Sequence, residues 1–75
     1  MRITKSLIEK RLDFINRETG LDYEVDYNTS YTFAYKIISN KGTHDQTTRL
    51  RATEAFAWCT GFINAMNATY TLRKR

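Results

Sequence analysis

The chain has no proline, three glycines and one cysteine among its 75 residues. Each scarcity removes a class of explanation. With no proline and so little glycine, the composition is not that of an extended linker or a disordered segment. The lone Cys59 cannot form an internal disulfide, which fits a reducing compartment, and the lone His44 leaves any metal site short of its usual ligands. No apolar run approaches the roughly 20 residues that a membrane span needs. The opening MRITKSLIEK also lacks the apolar core and small-residue cleavage site of a secretory leader. The expectation is a cytoplasmic protein with no membrane partner, no metal and no cofactor.

What is present is an ordinary globular mixture of apolar and charged residues, expected to form one domain over residues 1–75. A core of this size buries only about 60% of the unfolded surface, so association into a homodimer would help stability. The formal charge of +4 is unevenly placed. Up to Asp26, acidic residues slightly outnumber basic ones. From Tyr27 onward only Asp45 and Glu54 oppose Lys36, Lys41, Arg49, Arg51, Arg73, Lys74 and Arg75, so the second half is the electrostatic candidate for an anionic partner.

Periodicity divides the chain into four elements. Leu7, Ile8, Leu12, Phe14 and Ile15 recur at helical steps and predict a helix over residues 4–19, started by Thr4 or by the Ser6/Glu9 capping pair and ended by Gly20. The period then changes to two. Leu21, Tyr23, Val25 and Tyr27 alternate with acids, and Tyr31, Phe33, Tyr35 and Ile37 alternate beyond the polar triplet Asn28-Thr29-Ser30, which predicts a tight hairpin. Pairing Tyr27 with Tyr31 sets Val25 against Phe33, Tyr23 against Tyr35 and Leu21 against Ile37, with Asp22 opposite Lys36. All the large side chains then share one face, and the aromatic cluster reads as core.

Residues 40–48 read as a polar loop. A second helix follows from Thr48 to Tyr70, with a stripe of Ala52, Ala55, Phe56, Cys59, Phe62, Ile63, Met66 and Tyr70. Gly61 inside this helix suggests close packing against the first helix or a strand. Residues 71–75 read as a frayed basic tail. The fold class is α+β, a helix–hairpin–helix arrangement with both helices on one face of a small antiparallel sheet.

Catalysis needs a nucleophile, a base and an orienting group. Cys59 falls on the apolar stripe and His44 in a polar loop, and the sequence has no phosphate-binding glycine loop and no serine elbow, so no catalytic residue and no enzyme is expected. Asp22, Glu24 and Asp26 lie about 7 Å apart on one strand face and read as a solvated surface. Two binding readings remain. Lys36, Lys41, Arg49, Arg51, Arg73, Lys74 and Arg75 could neutralise phosphates of a nucleic acid. Alternatively Trp58 and Phe62, at the margin of the second helix's stripe, either fill the core or centre an interface with a second copy of the chain or with a partner protein.

The order of signals also resembles a group of small bacteriophage proteins with a helix–strand–strand–helix layout. The matching positions are Ile3, Thr4, Lys5 and Leu7 at the start, then Asn16, Thr19 and Gly20 at the end of the first helix, Tyr31 and Tyr35 in the hairpin, and Phe62 and Ile63 in the last helix. Members of that group often carry Tyr-Gly-Gly in the hairpin, where this chain has Asn28-Thr29-Ser30. The resemblance implies a phage-encoded protein made in a bacterial cytoplasm and assigns no activity to any residue.

Overall fold

The computed structural model describes the backbone of residues 2–73 and the side chains of residues 2–68. Helix α1 (Lys5–Thr19) is followed by β1 (Glu24–Tyr27), β2 (Tyr35–Ser39), a 3-10 turn at Asn40–Gly42, β3 (His44–Asp45) and helix α2 (Ala52–Arg73). The strands form one antiparallel sheet in the order β1-β2-β3. The fold is α+β, with the helices packed on the sheet. The expected two strands gain a third, because His44 and Asp45 pair with Ser39 and Ile38 inside the segment that reads as a loop.

Both ends of α1 follow from local chemistry. Thr4 is the cap that forms, its Oγ1 accepting the Leu7 N–H at 3.3 Å. Gly20 closes the helix at φ 76°, a left-handed conformation open to glycine, and donates its N–H to the Asn16 carbonyl at 2.8 Å.

The hairpin register differs from the expected one. Tyr27 pairs with Tyr35, Asp26 with Lys36, Val25 with Ile37 and Glu24 with Ile38. The shift is four residues (35 − 31), an even number, so each strand keeps its inward face. Tight hairpin turns need backbone at positive φ, and among the described residues those that adopt it are Gly20, Asn40, Lys41 and Gly42, none of them between β1 and β2. Instead Asn28 builds a wider connection. Its Oδ1 accepts the Ser30 N–H at 2.9 Å, its carbonyl accepts the Tyr31 N–H at 3.3 Å, and its own N–H donates to the Ala34 carbonyl at 2.9 Å. Tyr31 and Phe33 are thereby removed from the sheet and exposed, against the expectation that they pack in the core.

Helix α2 begins at Ala52 rather than at Thr48, because the preceding residues run beside β2. The Tyr35 N–H donates to the Leu50 carbonyl at 3.1 Å and the Leu50 N–H donates back to Tyr35, while Thr47 Oγ1 accepts the Ile37 N–H at 3.1 Å. At the other end α2 continues through Thr71, Leu72 and Arg73. Lys74 and Arg75 lie outside the described residues, as does the side chain of Tyr70. The expected close approach at Gly61 is absent: a methyl group there would meet no atom within 4 Å.

The core is small. Ile8, Leu12 and Ile15 of α1 meet Ile37 of β2 and Ala55 and Cys59 of α2, all at most 2% exposed. Tyr23, Trp58 and Phe62 enlarge it at one margin, with Tyr23 edge-on to both partners at 5.5 and 5.6 Å between ring centres. The opposite face of the sheet is polar. It carries the ion pairs Asp26–Arg49 at 2.6 Å and Lys36–Asp45 at 3.3 Å.

Candidate nucleic-acid interface

The segment entering α2 alternates in the manner of a strand. Leu50, bonded to Tyr35, packs toward the core, so Arg49 and Arg51 on either side of it point elsewhere. Both reach the Asn28–Ala34 connection. Arg49 donates from Nη1 to the Asp26 carbonyl at 3.2 Å and to the Ala34 carbonyl at 3.1 Å, and from Nη2 to the Asp26 carboxylate at 2.6 Å. One guanidinium therefore ties together the end of β1 and the entry to β2. Its planar fork suits this task, since several donors lie in one rigid plane.

The same guanidinium lies 4.4 Å from the centre of the Tyr31 ring, and that of Arg51 lies 5.1 Å from the Phe33 ring. The rings remain accessible: Tyr31 is 53% exposed and Phe33 is 40% exposed. Two aromatic side chains are thus supported by cations and open to solvent. Beside them Tyr27 contacts Tyr35, with ring centres 4.8 Å apart, and Lys5 lies 5.9 Å from the Tyr27 ring. Burial, reinforced by the neighbouring Tyr27 phenol, holds the Tyr35 phenol above its ordinary pKa against the nearby Arg2.

A basic residue at a helix start opposes the helix dipole. Here the first turn of α2 carries Glu54, whose carboxylate accepts the Arg51 N–H at 3.0 Å. The backbone donor is satisfied locally, and the Arg51 side chain turns to Phe33.

Among the described residues the candidate cations do not form one patch. Arg49 and Arg51 flank Leu50. Lys36 is on the outer sheet face, held by Asp45 and largely covered. Lys41, exposed and at φ 57°, lies beyond the far end of β2 in the 3-10 turn. Arg73 ends α2, roughly 33 Å from Arg51 at 1.5 Å per helical residue. Its side chain, like Lys74 and Arg75, is outside the described residues.

Of the proposed apolar contacts, Trp58 and Phe62 are half-buried against Tyr23, with their own ring centres 5.5 Å apart. They complete the margin of the core. Of the acidic strand face, Asp22 accepts the Asn40 N–H at 3.1 Å and Asp26 is taken by Arg49, while Glu24 stays exposed. Cys59 is fully buried and burial pushes its thiol up to about 11, whereas His44 is exposed on β3 with Nδ1 3.1 Å from the Thr43 hydroxyl. The two reactive side chains occupy separate environments.

Sequence reasoning missed Tyr31 and Phe33 as surface groups. The available signal was the lack of glycine after Asn28, together with two arginines at the same alternate spacing as the two rings. Compared with protein families, curated proteins and solved structures, the chain matches none.

Proposed function

We propose that this is a non-enzymatic nucleic-acid-binding protein, phage-encoded and working in a bacterial cytoplasm, whose contact surface is built by Tyr31, Phe33, Arg49 and Arg51. The observation that carries this reading is the pairing of exposed rings with guanidinium groups at the entry to α2. Cations supply sequence-independent attraction to phosphates, and open aromatic faces supply stacking for bases. Lys41 adds positive charge at a distance from this surface, and Arg73, Lys74 and Arg75 add to the charge of the chain. The phage and cytoplasmic parts rest on the sequence resemblance and on the absence of any helix in the described residues long and apolar enough to cross a membrane.

A pull-down of tagged protein from bacterial lysate, with and without nuclease, tests the reading. Recovery of nucleic acid, with co-purifying proteins lost after nuclease, is the expected result. A single protein that survives nuclease treatment would replace it with a second reading, a modulator of a host protein complex. One observation favours that alternative: a groove of about 510 Å³ between α1 and β1, lined by Glu9, Lys10, Asp13, Glu24 and Val25. An edge strand beside such a groove can accept an extended segment of a partner or of a second copy of the chain.

A further inference from the structure

We infer that the ligand of the Tyr31/Phe33 surface is single-stranded nucleic acid, bound by base stacking; this deepens the nucleic-acid reading and rests on it. Three observations point the same way. The first is the state of the rings. Each has a guanidinium against it, which holds it in place, and each leaves about half its surface open. A ring presented in this way can pack against the face of a base. Faces are free in a single strand and hidden in a duplex.

The second observation is the state of the charges. Arg49 is paired with Asp26 and Lys36 with Asp45. Of the two guanidiniums at the surface this leaves Arg51 as the main attraction for phosphate, and a cation already neutralised releases few counterions from a duplex backbone, so stacking has to supply a large share of the affinity.

The third is what α2 offers. A helix that reads a duplex major groove carries exposed side chains that donate to or accept from base edges, usually Arg, Lys, Asn or Gln near its start. The exposed positions in the first half of α2 are Thr53, Glu54, Ala57, Thr60 and Gly61. None is basic, and Glu54 would meet phosphates with the wrong sign. Stacking is indifferent to which base is present, so the preference is for single strands as a class.

Fluorescence anisotropy with labelled oligonucleotides of about 15 nucleotides tests this, a length that spans a small single-strand site. Single-stranded DNA, single-stranded RNA and a duplex of the same sequence are compared at about 50 mM and about 200 mM salt. The expected result is at least a roughly tenfold preference for a single strand over the duplex, with Tyr31→Ala and Phe33→Ala each weakening single-strand binding by about five- to hundredfold. Phe33→Leu, which keeps an apolar side chain and removes the ring, should lose nearly as much, and circular dichroism of each variant separates this loss from unfolding. Duplex binding as tight as single-strand binding, or variants that bind like the parent, would overturn the inference and leave the nucleic-acid reading standing. Failure of every oligonucleotide to bind at the lower salt would overturn both.

Discussion

Asn16 satisfies both backbone groups of Tyr23 with one side-chain amide: its Nδ2 donates to the Tyr23 carbonyl at 2.8 Å and its Oδ1 accepts the Tyr23 N–H at 2.9 Å. The amide imitates a neighbouring strand and fixes where the chain leaves α1 and enters the sheet. Since Tyr23 also supports Trp58 and Phe62, Asn16 sets the position of that whole aromatic margin. Asn16→Ala leaves two part-buried groups without partners and should cost about 1–3 kcal/mol. In a chain of this size the midpoint of thermal unfolding should fall by at least about 4 °C, measurable by circular dichroism. Asn16→Asp keeps the acceptor and loses the donor, so it should not restore the loss.

Arg49 holds the Asn28–Ala34 connection through two carbonyls and one carboxylate. Arg49→Ala should destabilise the protein by about 1–2 kcal/mol, less than a fully buried pair would, because both side chains are partly exposed. Arg49→Lys should recover only a fraction, since a single ammonium cannot span the three acceptors. Amide hydrogen exchange gives the sharper reading. The Asn28 N–H, bonded to Ala34, should exchange faster in both variants, and unchanged protection would show that the connection holds itself.

Gly61 has open space where a side chain would project, on an exposed turn of α2. Gly61→Ala should therefore stabilise the protein by roughly 0.5–1 kcal/mol through helix propensity alone. Urea denaturation with an unchanged slope and a raised midpoint is the expected signature. A loss of stability would mean that the glycine accommodates a partner.

The buried thiol gives a pH dependence. Burial raises Cys59 from an ordinary value of 9.0 to about 11, so the folded state keeps a proton that the unfolded chain has released. Its contribution is fully present below pH 9 and is lost as the pH rises toward 11. Tyr35, also raised by burial, adds a loss of the same sign above its ordinary 10.0. Stability measured in urea should thus decline through this window, with a shallower decline in Cys59→Ala. At neutral pH the thiol should react with a disulfide reagent only as fast as the protein opens, and immediate reaction in the folded state would contradict the burial.

Much of the fold was legible because period and capping agree. Helical spacing places Ile8, Leu12 and Ile15 in the core, residue type marks Gly20 as one helix end and leaves Thr4 and the Ser6/Glu9 pair as candidates for the other, and alternation places Val25 and Ile37 on an inward face. The register was not legible, because alternation is unchanged by an even shift and the pattern alone cannot tell Tyr31 from Tyr35 as the partner of Tyr27. Turn chemistry decides it, through the bonds of Asn28. The start of α2 is obscured for a related reason: Arg49, Leu50 and Arg51 contain no helix breaker and fall inside the helix expected from Thr48, but Leu50 bonds to Tyr35 across a distance that no local pattern records. That one bond brings the two arginines to the two rings, so the candidate site depends on the part of the structure the sequence shows least.

Arg49 grips the connection by the carbonyls of Asp26 and Ala34 and by one side chain outside it, so none of its anchoring bonds uses the side chains of residues 29–33. The hydrogen bonds that hold this segment's ends and the side chains it displays to solvent are therefore written in different letters of the chain, and the two meet only where Arg49 and Arg51 lie against the Tyr31 and Phe33 rings. Substitutions at positions 29, 31, 32 and 33 can alter what the surface recognises while its frame is retained, which makes this stretch a natural place for selection, or a designer, to exchange one specificity for another.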